Sequence, residues 1–107
     1  MDLKTAIAQA VKGDERGFAY LYEQTCQKKY YLALQYMKNK EAAEDLLQEA
    51  YLKAFQKLPT LQNPEAFEGW LGMIVANTAK NMLAKKNPML FSELAVDGEG
   101  EEYVYDV

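Results

Sequence analysis

Apolar residues recur at steps of three and four through most of the chain, and strand-like alternation is nearly absent before residue 102. This pattern predicts four helices. The first covers about Leu3 to Lys12, where Gly13 suits a C-terminal cap and Asp14 suits the N-cap of the next helix. The second runs from about Glu15 to Lys38, with apolar positions at Phe18, Leu21, Tyr22, Cys26, Tyr30, Ala33, Leu34 and Met37. A break between Gln24 and Lys28 is allowed. Asn39 and Lys40 form a tight joint, and the third helix runs from about Glu41 to Leu58. Pro59 ends it, because proline cannot continue the ladder of hydrogen bonds. After the loop Pro59 to Asn63, Asn63 is an N-cap with Pro64 at the first helical position. The fourth helix then runs to about Lys86, and Asn87-Pro88 closes it. The expected fold class is all-α, a compact bundle of about four helices over residues 1–90, followed by an acidic linker or tail over 91–107.

The third helix has two unlike sides. At about 100° per residue, Ala43, Leu46, Leu47, Ala50, Tyr51, Ala54 and Leu58 share one side, an ordinary core stripe. The opposite side carries Asp45, Gln48, Glu49, Leu52 and Gln56. Leu52 is thus an apolar residue amid acids and amides. It is either a plain surface leucine, or one covered by another helix, or the anchor of a partner surface whose polar rim fixes register.

The fourth helix has a core side of Phe67, Trp70, Leu71, Ile74, Val75, Thr78 and Met82. Its other side begins with Gly69, Gly72, Met73 and Ala76, and then Lys80. Each helical glycine costs roughly 1 kcal/mol relative to alanine, which suggests close approach by another backbone. The first or second helix packs there, or the face lies smooth against nucleic acid, with Asn77, Lys80, Asn81, Lys85 and Lys86 at its far end.

Composition narrows the chemistry. The 107 residues hold no histidine, which removes the commonest general base and the commonest metal ligand. The single cysteine, Cys26, excludes an internal disulfide and fits a reducing, cytoplasmic setting. The longest uncharged stretch, residues 69–79, is too short to span a bilayer, and the opening Met1-Asp2-Leu3-Lys4 has no apolar signal core. The net charge of −4 hides an asymmetry: residues 1–90 carry 12 basic and 10 acidic side chains, whereas residues 91–107 carry six acids and no base. No nucleophile–base pair or phosphate loop is present, so neither an enzyme nor a cofactor is expected.

Three stretches carry a family resemblance. EAAEDLLQEAYLKAFQKL, from Glu41 to Leu58, resembles part of region 2 of bacterial sigma factors. FEGWLGMIVANTAKNML, from Phe67 to Leu83, resembles the following part of that region in the extracytoplasmic-function group. VKGDERGFAYLY, from Val11 to Tyr22, is similar to that group's usual start. The resemblance implies a helical domain that docks on the clamp coiled coil of the RNA polymerase largest subunit and reads the melted minus-ten promoter element. It puts the docking surface on Asp45, Gln48, Glu49 and Leu52, the outward stripe already found from angles. It puts promoter reading on the Pro59–Asn63 loop and the fourth helix, with Asn77 at a position resembling a base-contacting asparagine. Lys53 and Lys57 are expected to meet the DNA backbone, with Lys80 and Asn81 at the end of the surface. Leu61, Gln62 and Asn63 would line a pocket for an extruded base, since amides can read base edges. Trp70 is expected in the core rather than as a stacking face.

The sequence also departs from the family. The linked helix-turn-helix domain that reads the minus-thirty-five element is absent from these residues. Gly72 and Met73 stand where an aromatic and a base are frequent, and only Lys85 and Lys86 stand where a longer basic run is common. The acidic segment resembles the start of the inter-domain linker, either a solvated connection or a mimic of nucleic-acid charge. The competing reading is a helical module that binds polymerase or an anti-sigma factor without reading DNA.

Overall fold

The computed structural model of the chain describes residues 1–86, with four α-helices and no strand among them. They are α1 (Leu3–Val11), α2 (Glu15–Met37), α3 (Lys40–Lys57) and α4 (Phe67–Lys86). The expected close at Asn87-Pro88, the boundary at residue 90 and the acidic segment lie outside the described residues.

Local chemistry sets each boundary. Asp2 caps α1 by accepting from Thr5 N–H at 2.7 Å. At the other end Gly13 takes φ +90°, with Gly13 N–H donating to Ala10 O and Asp14 N–H to Gln9 O. This paired closure needs a left-handed residue, and glycine adopts it without a Cβ penalty. Asp14 then caps α2, accepting from Arg16 N–H at 2.9 Å and pairing with the Arg16 guanidinium. Hydrogen bonding from Thr5 holds the Asp2 carboxyl below the usual carboxylate range, and hydrogen bonding from Arg16 does the same for Asp14.

Helix α2 is continuous, so the allowed break at 24–28 does not occur. It ends on Lys38, a non-glycine residue at φ 64°, and Asn39 caps α3 by accepting from Ala42 N–H. Pro59 ends α3 as expected, inside a 3-10 turn over Leu58–Thr60. The N-cap at Asn63 is also found, but it opens a second 3-10 turn over Pro64–Ala66, and α4 proper starts at Phe67.

Helix α2 packs against all three others, and α3 packs against α4. Its buried residues Gly17, Leu21, Thr25, Ala33 and Met37 fall on four-residue steps. Each such step advances about 40° around the helix. The buried line therefore winds around α2 and meets α1 first and other neighbours later. Leu21, Leu46, Leu58, Phe67, Leu71, Ile74 and Val75 fill the centre. Two buried threonines satisfy their hydroxyls on carbonyls four residues back, Thr25 on Leu21 O and Thr78 on Ile74 O. Since the Thr25 proton is spent on Leu21, the Tyr51 hydroxyl donates to Thr25 Oγ1 at 2.5 Å. Burial pushes the Tyr51 phenol up to about 12.

Two packing expectations are corrected. The close backbone approach is at Gly17, not in α4: a Cβ on Gly17 would stand 2.5 Å from Ala6 O and 2.6 Å from Ala10 N. Among the described residues, Gly69 has nothing within 4 Å of that position, and Gly72 has only Lys29 Nζ at 3.7 Å. Neither α1 nor α2 packs its backbone on that side of α4. Tyr22, read as part of the α2 apolar stripe, is 46% exposed; its ring leans on Tyr51 with centroids 4.9 Å apart.

Candidate functional site

The angular reading of α3 matches the burial at every position but Glu49, which is half-buried. Ala43, Leu46, Leu47, Ala50, Tyr51, Ala54 and Leu58 are buried. Asp45, Gln48 and Gln56 are exposed, Glu49 is half-buried, and Leu52 is 60% exposed. No other helix among the described residues covers Leu52. A solvated leucine in a polar ring is the arrangement expected of an interface anchor.

The stripe borders a feature that the angles of α3 alone did not reveal. A groove of about 740 Å³ runs between α2 and α3. Tyr22, Cys26, Gln27 and Tyr30 form its α2 side, and Glu44, Leu47, Gln48, Tyr51, Leu52 and Phe55 form its α3 side. Phe18, Phe55, Tyr51 and Tyr22 stack in succession beneath it, with centroids 4.5, 5.8 and 4.9 Å apart. These rings hold the two helices in register and build the floor. Tyr22, Cys26 and Tyr30 belong to the helical apolar spacing of α2. Exposure at Tyr22 depends on how far α3 overlaps α2, which spacing does not encode.

The second surface lies at the loop and α4. Thr60, Leu61, Gln62, Asn63, Ala66 and Trp70 line a pocket of about 210 Å³. Thr60 Oγ1 donates to Lys57 O, and Asn63 Oδ1 accepts from Glu65 N–H at 3.0 Å. These bonds fix the loop and leave the Asn63 amide N–H groups as its donors. Leu61 is half-buried and packs on the core, whereas Gln62 is exposed. Trp70 is half-buried, packed near Phe67 with centroids 6.0 Å apart, and also forms a wall of the pocket. Core packing and pocket lining are thus shared by one indole.

The remaining predicted residues divide. Lys53 and Asn81 come together, with Glu49, Ala84 and Lys85, around a notch of about 350 Å³ between α3 and α4. Lys57 and Lys80 are half-buried, and neither is without an interaction partner. Asn77 stands apart: it is 6% exposed, and its amide nitrogen donates to Met73 O at 3.1 Å. Lys29, which the sequence reading passed over, brings its ammonium beside Gly72 and so places a cation at the uncharged α4 face. The signal was available only in three dimensions, because Lys29 lies on a different helix.

No group of acidic or cysteine side chains among the described residues is arranged to hold a metal ion. No helix among the described residues is long and apolar enough to cross a membrane.

The family model for sigma-70 region 2 matches residues 21–88. The ECF RNA polymerase sigma factor SigW of Bacillus subtilis is 31% identical over 98 residues, covering 92% of this chain and 52% of its own length. The ECF RNA polymerase sigma-E factor of Escherichia coli K12 is 34% identical over 77 residues, covering 72% of this chain and 40% of its own length. SigV of Bacillus subtilis is 39% identical over 57 residues, covering 53% and 34% respectively. The chain thus spans about half, or less, of the length of these curated relatives.

Proposed function

Because this chain belongs to the sigma-70 region 2 family, in the extracytoplasmic-function group, we propose that it serves transcription initiation in the cytoplasm as a non-catalytic polymerase-binding module. Its docking surface is the α3 stripe of Asp45, Gln48, Glu49 and Leu52, which meets the clamp helices of the RNA polymerase largest subunit. The observation that carries this reading is Leu52, 60% exposed on a helix whose other leucines are buried. A desolvated aliphatic anchor supplies affinity, and the surrounding acids and amides reject partners of the wrong pattern.

The loop pocket supports the second half of the proposal, capture of a base from the melted minus-ten strand. Leu61 and Trp70 offer apolar walls, Gln62 and the Asn63 amide offer donors, and Lys53, Lys85 and Asn81 offer polar contacts for the strand's phosphates. Base reading rests on the loop rather than on Asn77, whose amide is committed inside the domain. The burial of Asn77 and the uncharged run from residue 69 to 79 also favour a second reading, a module that engages polymerase or an anti-sigma factor without reading DNA.

The experiment that tests the docking half is binding of Leu52→Glu to core polymerase, with circular dichroism as a fold control. Loss of binding at unchanged helicity is expected; wild-type binding would overturn it. The DNA half is tested by titrating a single-stranded minus-ten oligonucleotide with core polymerase present. Sequence-dependent retention supports loop reading, and its absence supports the second reading. The isolated domain should hold the oligonucleotide weakly, because few cations face it.

A further inference from the structure

Between residues 69 and 79 helix α4 has no charged side chain of its own, yet a cation stands against it. Lys29 reaches across from α2 and puts its ammonium 3.7 Å from where a Gly72 Cβ would lie. The residue is half-buried, and among the described residues its side chain forms no ion pair and no hydrogen bond. Glu68, one turn before Gly72, lines a separate cleft with Lys28. An ammonium laid against a helix loses part of its water, and here no carboxylate offsets that loss. Packing does not require the arrangement, because a lysine stem can cover a surface while its head stays in solvent. A cation so placed is matched by an anion from outside the domain.

Its position says which anion. Trp70 is a wall of the loop pocket, and Gly72 follows it by two residues, about 200° around the helix. A strand that leaves the pocket over the outer side of α4 therefore reaches Lys29 after crossing the breadth of one helix, about 10–12 Å. Gly69 is exposed on that path, and Met73 and Ala76 are half-buried, so no like or opposite charge intervenes. The notch of Lys53 and Lys85 lies on the α3 side instead. Cations thus flank the pocket on both sides, one set for each direction of a strand held in it. We infer that Lys29 binds a phosphate of the melted strand where it crosses α4, a contact made from α2 that supplies the charge α4 itself lacks. This rests on the DNA half of the proposed function and adds a residue and a direction to it.

The test uses the chain bound to core polymerase, with a labelled single-stranded minus-ten oligonucleotide and a scrambled strand of equal length. Lys29→Met keeps the stem over Gly72 and removes the charge. It should weaken both strands alike, about threefold to tenfold, and lower the slope of log affinity against log salt by about 0.7, as for one single-strand phosphate contact. Lys29→Arg should restore affinity and slope. Lys12→Ala removes an exposed charge next to the end of α1 and should change neither. Lys29→Gln takes the place of Lys29→Met if the methionine variant melts early. Replacing phosphates one at a time by uncharged methylphosphonates should find one linkage whose neutralisation weakens the parent but not Lys29→Met, the coupling expected of groups in contact.

The outcomes separate the two claims. If the parent holds the minus-ten strand and Lys29→Met matches it in affinity and slope, Lys29 merely covers Gly72; the inference is wrong and the DNA reading stands. A loss confined to the minus-ten strand at unchanged slope would make Lys29 a base contact and overturn the phosphate assignment. An equal loss of core-polymerase affinity without DNA would give the anion to the polymerase and overturn it as well. If the parent complex holds neither strand better than core polymerase alone, the DNA reading itself fails and the inference falls with it.

Discussion

The α2–α3 face and the α4 face differ in how their burial is distributed. On α3 the buried residues span an arc of about 140°, and Leu52 lies almost diametrically opposite its centre. On α4 Leu71, Ile74, Val75, Asn77, Thr78 and Ala79 are buried, an arc of about 200°. A helix with a narrow buried arc exposes a clear outer stripe, and a residue out of character there is easily seen. A helix enclosed on more than half its circumference leaves its polar residues at the margin of the core, where a small rotation decides between packing and exposure. Asn77 sits at that margin and falls inward. An apolar residue among polar ones is therefore the stronger sign of a partner surface than an absence of charge.

Substitutions can break or sharpen this contrast. The largest effect is expected from Leu52→Glu, which should cost about 2–4 kcal/mol of polymerase binding, the range of an interface anchor. Its melting temperature should match the parent's. The next acts on both faces through the shared frame. Gly17→Ala forces a Cβ against Ala6 O and Ala10 N and should destabilise the domain by about 1–3 kcal/mol in urea unfolding. Gly72→Ala should do the reverse. Among the described residues a Cβ there meets only Lys29 Nζ, at ordinary contact distance, so the variant should gain about 1 kcal/mol of stability. If the smooth α4 face meets DNA, the same variant should hold a minus-ten oligonucleotide less well in the polymerase complex. A stabilised variant with unchanged DNA binding would remove α4 residue 72 from that surface.

Tyr51→Phe should cost about 0.5–1.5 kcal/mol through the lost bond to Thr25, while Thr25 keeps its bond to Leu21 O. The pH dependence follows from the same tyrosine and the two caps. Tyr51 stays protonated in the folded state up to about 12, whereas the unfolded phenol ionises near about 10. Its contribution is whole below the lower value and is lost as pH rises through the higher one. Asp2 and Asp14 have lowered values, so their contributions are present above the unfolded carboxylate range and fade as pH falls through the folded values. Thermal melts across pH should show both flanks, and Tyr51→Phe should soften the alkaline one.

Much of the fold was written in local chemistry. Asp14, Gly13, Asn39, Pro59 and Asn63 act where caps and breakers should, because each works through bonds to its own neighbours. The outward stripe of α3 was equally plain, since one helix's periodicity contains it. What escaped depends on pairs of helices. The α2 wall of the groove, Lys29 beside Gly72, and the true site of close approach at Gly17 each require knowing which helix lies against which. Lys38 was hidden for another reason: its left-handed φ is imposed by the turn between α2 and α3, in a residue type that does not advertise it.

The contact at Gly17 has a consequence for how this molecule tolerates change. Where two main chains touch without intervening atoms, no rotamer can yield and no neighbour can refill a gap. The angle between the two opening helices is therefore fixed by bare peptide units. Sequence drift in α1 should be confined to its solvent side, and Ala6, Ala10 and Gly17 should change together or not at all.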